Sequence, residues 1–331
     1  MTPGWEALSA RARGLTAHLL RDDKLAALRR AESGPELLRE LSDTPYAPFM
    51  PPREADPATL EVGIVRSLAD RMTTLARWSG PEGPSLAAIF LEQDARNIRH
   101  LLRGVVGELT AEQRLTGCIP TPTLGRRALE TLARTESSGA LAATLVAWNH
   151  PMGSALMREA RRTHPDLFRL ETVLARRMAF EASVAAREGG DAMRRFVADE
   201  IDARNVVTAL LLAGARFESA VAELFVEGGA RLDARDFARA ASAPDRPTSA
   251  DVLSRATRRS LFEGPLRGSP ATPAAVAERI SEAHIARLRR DALQAPLTAL
   301  PVLLFILCLR REARLVRRAL WGVAVAGGRR R

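Results

Sequence analysis

Cysteine is almost absent from this 331-residue chain: Cys118 and Cys308 are its only two. A pair so isolated makes no disulfide scaffold, and a reducing compartment is the simplest setting. Aromatic residues are 5% of the chain, so a core must be packed from Leu, Ala and Val. β-branched runs and hairpin dipeptides are scarce, which excludes a strand-rich sandwich or barrel. No apolar run approaches the ~20 residues of a membrane-spanning helix. The longest, Leu297–Leu309, has 13 residues and is interrupted by Pro301. It reads as the buried arm of a terminal hairpin, and any membrane role is peripheral. Met1–Arg30 carries Arg11, Arg13, Asp22 and Asp23 without an apolar centre, so it is not a secretory leader.

Chemistry-bearing motifs are missing too. There is no G-x-x-x-x-G-K-[ST] phosphate loop and no G-x-G-x-x-G after a strand. His18, His100, His150, His164 and His284 show no metal-ligand spacing with cysteine or with each other. No G-x-S-x-G elbow or Cys/His pair appears. Trp5, Trp78, Trp148 and Trp321 are scattered, and each reads as a core anchor. The expectation is a chain without catalytic residues, cofactor or metal. Charge is the one strong bias: +10 net, nearly all of the surplus Arg. That favours an anionic neighbour. The Arg residues are spread along every helix, however, which reads as solvated charge and argues against a nucleic-acid partner, for which a one-sided basic face is expected.

What is present is repetition. Ala, Leu, Arg and Glu dominate, all good helix formers, and the chain reads as all-α. Glu92-Gln-Asp-Ala-Arg-Asn-Ile98, Glu200-Ile-Asp-Ala-Arg-Asn-Val206 and Arg311-Glu-Ala-Arg-Leu-Val316 place an acid at Asp94, Asp202 and Glu312, at intervals of 108 and 110 residues. Upstream, Glu61, Glu171 and Glu278 each open an Arg-bearing amphipathic stretch, 33, 31 and 34 residues before those acids. Earlier still, Leu25–Leu41 and Leu129–Leu145 share one leucine spacing around Glu32-Ser33 and Glu136-Ser137, and Phe237–Leu253 resembles them with extra residues near Pro244 and Pro247. Periods of this length decide architecture. They predict three pseudo-repeated helical units, 1–118, 119–228 and 229–331, each ending in a long hairpin. Turns are expected at Ser79–Pro84, Glu188–Asp191 and Asp291–Pro296. No joint is long enough for a flexible linker, so the units should pack as one body.

Phe90, Asp94, Asn97, Leu101 and Val105 fall at helical spacing, so Asp94 and Asn97 lie on or beside an apolar stripe. Glu312 sits likewise between Phe305, Cys308, Leu315 and Ala319. A buried carboxylate needs partners. It is either an acid/base group or a structural clamp that accepts from an Arg or from the start of a neighbouring helix. One lone acid per unit favours the clamp. Arg99 and Arg317 lie five residues past the acid and Gly104 and Gly322 ten past it, whereas the second unit has Val207 and a late Gly214. A glycine at that point either ends the helix or lets another segment approach closely, and a helix end is the favoured reading.

The run Glu92-Gln-Asp-Ala-Arg-Asn-Ile-Arg-His-Leu-Leu-Arg-Gly104, its second copy through Asn205 to Val207, and Leu309-Arg-Arg-Glu-Ala-Arg-Leu-Val-Arg-Arg-Ala-Leu-Trp-Gly322 carry a resemblance. With the Thr44-Pro-Tyr46 region and Leu124–Leu132, the chain resembles the C subunit of the V/A-type (vacuolar-type) rotary ATPases, equivalent to the eukaryotic V-ATPase d subunit. Leu315 departs from the family's usual Asn, and Arg311 from a Lys beside the acid. The resemblance implies a non-catalytic rotor adaptor, a three-lobed funnel at the cytoplasmic face of the membrane. Such an adaptor rests on the proteolipid ring, receives the foot of the central stalk and couples ATP chemistry to ion flow. The alternative is a freestanding helical scaffold that keeps only the fold. Positive charge suits a place near an anionic leaflet, while the tail Gly327–Arg331 reads as solvated.

Overall fold

The computed structural model describes residues 4–51, 56–80, 83–162, 166–215, 221–268 and 272–329, with 326–329 described by backbone alone. His164, Arg330, Arg331 and the middle of the expected turn at Ser79–Pro84 lie outside the described residues. No strand occurs among the described residues; the chain is all-α.

A leading helix, α1 (Trp5–Ala17), precedes a pattern that occurs three times. Two short helices, a short helical turn and a long helix pair follow one another. The first set is α2 (Asp22–Arg30), α3 (Gly34–Leu41), a 3-10 turn at Ala47–Phe49, α4 (Pro57–Trp78) and α5 (Gly83–Val106). After α6 (Ala111–Leu115) come α7 (Arg126–Ala133), α8 (Ser138–Ala147), α9 (Gly153–Ala160), α10 (Leu167–Ala186) and α11 (Gly190–Leu212). A 3-10 turn at Val221–Leu224 leads to α12 (Ala234–Ala241), α13 (Arg246–Ala256), α14 (Glu263–Leu266), α15 (Pro273–Gln294) and α16 (Leu300–Arg329).

The sequence sets these boundaries through capping chemistry. The second short helix of each set opens on an oxygen-bearing cap: Ser33, Ser137 and Asp245 accept from the backbone N–H of Glu36, Ala140 and Thr248. The first long helix opens on Asp56, Asp166 or Thr272, with proline in the first turn at Pro57 and Pro273. Each such cap is worth about 1 kcal/mol, and a first-turn proline loses no helical hydrogen bond.

Long helices pair across the sets. α5 lies along α10, α11 along α15, and α16 along α4, so the last set packs back on the first. α16 also covers α1, α2 and α3. One apolar cluster, including Leu86, Leu101, Leu170, Leu174, Phe196, Leu303 and Phe305, joins helices of all three sets. Two smaller clusters lie between α11 and α15, around Phe237 and Phe262, and between α2–α4 and the end of α16, around Tyr46 and Val316. Emptying one of these leucine sites to alanine costs about 2–5 kcal/mol.

Two expectations need correction. The third hairpin turns at 295–299 rather than at Asp291–Pro296. Pro301 sits in the first turn of α16, where it is tolerated, and Leu297 is exposed in the turn instead of buried in the arm. Of the four tryptophans only Trp5 is a core anchor; Trp78, Trp148 and Trp321 are 38–44% exposed. Trp78 closes α4 and Trp148 follows α8, where the chain leaves the core, and Trp321 reaches sideways to Glu61. Cys118 and Cys308 are free, and burial pushes the Cys118 thiol up to about 12, so it stays protonated.

Candidate functional site

Each acid of the repeat holds the segment that leads into the next pair of short helices. Asp94, fully buried on α5, accepts from Thr121 Oγ1 at 2.5 Å, from Thr123 Oγ1, and meets His150 Nε2 at 3.3 Å. Thr121 to Leu124 is the approach to α7, and Thr121 Oγ1 in turn accepts from Leu124 N at 2.8 Å. Asp202, fully buried on α11, accepts three backbone N–H groups on the approach to α12: Ala230 and Arg231 at 2.9 Å and Leu232 at 3.2 Å. Glu312 on α16 takes the N–H of Leu20 just before α2, at 2.5 Å. It also takes Tyr46 Oη at 2.9 Å and Arg71 Nη1 at 2.8 Å.

Asn completes the pattern one helical turn later. Asn97 donates to Ile119 O at 2.7 Å and accepts from Ile119 N at 3.0 Å. Asn205 does the same to Val226, at 2.8 and 3.0 Å. An amide can do this because it carries a donor and an acceptor side by side; neither Asp nor Leu can. Leu315 stands at the third such place and packs into the core beside Tyr46. There the phenol and the Arg71 guanidinium, stacked 4.8 Å from the Tyr46 ring centroid, take over the holding.

The electrostatics differ with the partners. Burial raises Asp202 above the usual carboxylate range, helped by nearby Asp199, although the three N–H groups oppose the shift. Burial and the Glu312 charge push Tyr46 well above a free phenol. Glu312 itself pairs with a cation in a setting where its side chain is 3% and that of Arg71 12% exposed. These contacts engage the carboxylates in ion pairs and hydrogen bonds within the fold.

The upstream glutamates receive the Arg residues that follow the acids. Arg99 and Arg103 of α5 reach Glu171 on α10, Arg103 through Nε at 2.5 Å and Nη2 at 2.8 Å, Arg99 at 3.6 Å. Arg317 and Trp321 of α16 reach Glu61 on α4. In the second set, Val207 replaces the Arg, and Glu278 pairs instead with Arg318 of its own hairpin at 3.0 and 3.2 Å. The helix-end reading fails at Gly104 and at Gly322, and at Gly104 the close-approach reading holds instead. Gly104 lies inside α5, where an added Cβ would come within 2.6 Å of Arg114 Cγ; its role is close approach of α6. Gly322 lies inside α16 with nothing within 4 Å of such a Cβ, and nothing in the structure explains it. Gly214, with φ +78°, does follow the end of α11.

Glu92 and Glu200 face a different place, a 460 Å³ pocket that also takes in Arg96, Arg204, Arg310, Arg314, Arg317 and His284. Glu92 accepts from Arg96 at 2.5 Å and from Arg310 at 2.6 Å. Burial alone would raise it, but these two cations hold it below the usual range. Glu200 meets His284 Nδ1 at 3.1 Å. Among the described residues no group of His, Cys, Asp and Glu could hold a metal ion. Sequence reasoning missed Thr121, Thr123, His150, Arg71 and Gly229, whose partners lie up to 241 residues away. Only Tyr46, the single tyrosine of the chain, carried a signal in its uniqueness.

The family described as "ATP synthase (C/AC39) subunit" matches residues 8–326. The C subunit of the V-type ATP synthase of Deinococcus radiodurans is 27% identical over 258 residues, covering 76% of this chain and 71% of that protein. The corresponding V-type ATP synthase C subunit of Thermus thermophilus, in each of two strains, is 29% identical over 207 residues, covering 62% of this chain and 61% of its own length.

Proposed function

The chain belongs to the ATP synthase (C/AC39) subunit family, and from that premise we propose that it is a non-catalytic rotor adaptor of a V/A-type ATPase. It sits peripherally on the cytoplasmic face of the membrane, between the proteolipid ring and the central stalk, and passes torque between them. Its three units, 1–118, 119–228 and 229–331, surround the stalk foot as a funnel. The observation that carries this reading is the cycle of long-helix pairs, α5 with α10, α11 with α15 and α16 with α4.

A torque-bearing part must not hinge. The acid and Asn of α5 and of α11 tie down the chain entering the next set, and Glu312 of α16 ties the last helix to Leu20. Load entering any one set therefore reaches the others through buried contacts. No helix among the described residues is long and apolar enough to cross a membrane. Contact with the ring thus depends on surface residues, and several contacts acting together hold better than one.

Reconstitution tests the role. Membranes from cells lacking this chain should hydrolyse ATP without pumping ions, and adding the purified chain should restore pumping. Pumping that persists without the chain would leave a freestanding helical scaffold as the better reading.

A further inference from the structure

The repeat also places an arginine two residues after each clamping acid: Arg96, Arg204 and Arg314. The acids point into the protein, but these three arginines line one and the same pocket, of 460 Å³. Its walls come from α4, α5, α11, α15 and α16, and Arg310 and Arg317 join the lining. Among the described residues, Glu92 and Glu200 are the only carboxylates that line it. Their charge is already engaged. Glu92 bridges Arg96 and Arg310, Glu200 meets His284, and Arg317 turns to Glu61.

Two cations are left over. Arg204, partly buried, has no hydrogen bond or ion pair with any described residue, and Arg314, which is exposed, has only the Ser281 hydroxyl at 3.1 Å among them. His284 is 2% exposed, and its Nε2 has no hydrogen-bond partner among the described residues. Burial and the like charge of Arg99 push the Arg204 guanidinium down to about 10, against the opposing pull of Glu92 and Glu200, and burial lowers Arg314 against Glu278 and Glu282. Water solvates the exposed Arg314, whereas Arg204 is half-buried with only the fields of Glu92 and Glu200 to offset its charge, and a bound anion would pair it directly. A single negative charge would neutralise one of the two. Guanidinium forks match phosphate oxygens in bidentate geometry. The pocket volume lies in the ~300–1,000 Å³ range of small-molecule sites.

We propose that this pocket binds a small multivalent oxyanion carrying phosphate groups, held by Arg204 and Arg314 with His284 Nε2 beside them. The inference does not depend on the rotor role, because the isolated full chain contains every residue of the site.

Calorimetric titration of the full chain with sodium tripolyphosphate, at constant ionic strength set by chloride, tests it. Saturable one-site binding is expected, weakened at least tenfold in Arg204→Gln and in Arg314→Gln. Arg30→Gln, which removes an exposed charge at the end of α2, should change affinity less than twofold. Should a pocket variant misfold, tripolyphosphate must still protect Arg204 of the unaltered chain from phenylglyoxal. ATP that binds as tightly as tripolyphosphate would make a nucleotide the source of the phosphates, and weaker ATP binding would make it a free oligophosphate. Absence of saturable binding, or equal loss in all three variants, would overturn the proposal. So would a glutamate-rich peptide that outcompetes tripolyphosphate with the same Arg204 dependence, which would assign the pocket to an acidic protein segment.

Discussion

Replacing Gly229 by alanine attacks the Asp202 clamp without touching the acid. A Cβ built there falls 2.0 Å from Asp202 Oδ1 and 2.7 Å from its Cγ. A real Cβ essentially never lies within 3.0 Å of such an atom, so the loop must retreat by about 1 Å. Ala230, Arg231 and Leu232 follow directly and donate at 2.9, 2.9 and 3.2 Å, so the retreat carries their N–H groups out of range. Each hydrogen bond to a charged acceptor is worth about 1.5–3 kcal/mol. Ala230 and Arg231 are exposed and regain water, whereas Leu232 is buried and does not. The expected loss is therefore about 2–4 kcal/mol, a large share of a typical total of about 5–15 kcal/mol. Urea unfolding followed by helical circular dichroism measures it. Gly322→Ala is the control: it sits in α16 with open space around it and should stabilise by about 0.5–1 kcal/mol. If Gly229→Ala shifts stability by less than about 0.5 kcal/mol, the level of an ordinary surface change, the clamp is not what holds this loop.

Further outcomes follow from the same contacts. Asn97→Ala and Asn205→Ala each lose two hydrogen bonds to a single backbone residue and should cost about 2–3 kcal/mol in the same assay; Asn→Asp should be no better, because the donor is gone. Glu312→Gln leaves Arg71 without its carboxylate and should cost about 3 kcal/mol, with separation of α16 from α4 visible as faster amide exchange in both. Glu92 is held below its ordinary value of 4.5, so its stabilisation is complete above that pH and is lost as the pH falls. Urea midpoints between pH 6 and pH 3 should therefore drop less steeply in Glu92→Gln than in the parent chain, and parallel curves would contradict the pairing with Arg310. Asp202 has the opposite sign: its value is raised, so its contribution is present below 3.8 and lost as pH rises through the higher native value.

The class of the fold was legible because helix propensity and the apolar stripe are local properties. The spacing of Asp94, Asn97, Leu101 and Val105 reports a face of one helix, and burial of Asp94 and Asn97 follows from it. The partners were not legible. Thr121 and Thr123 look like loop residues in a Gly/Pro-rich joint, and nothing local says that their hydroxyls close on Asp94. At Gly104 a helix end and a close approach read alike in the sequence; the neighbour that decides between them, Arg114, lies in α6 after the chain has turned back. Val207 is the reverse case. Its loss of an Arg was visible, but the compensation, Glu278 turning to Arg318, depends on the register of α15 against α16. The pocket arginines recur in the sequence at a fixed offset, yet only the packing of five helices brings them together.

Affinity isolation of the tagged chain from detergent-solubilised membranes, with identification of the proteins that accompany it, tests the rotor assignment most directly. The account predicts recovery of a small proteolipid together with nucleotide-binding and central-stalk subunits, and reduced recovery of all of them with Glu312→Gln, which loosens α16. Isolation of the chain free of every ATPase subunit, from cells in which the rest of the complex is assembled, would contradict it.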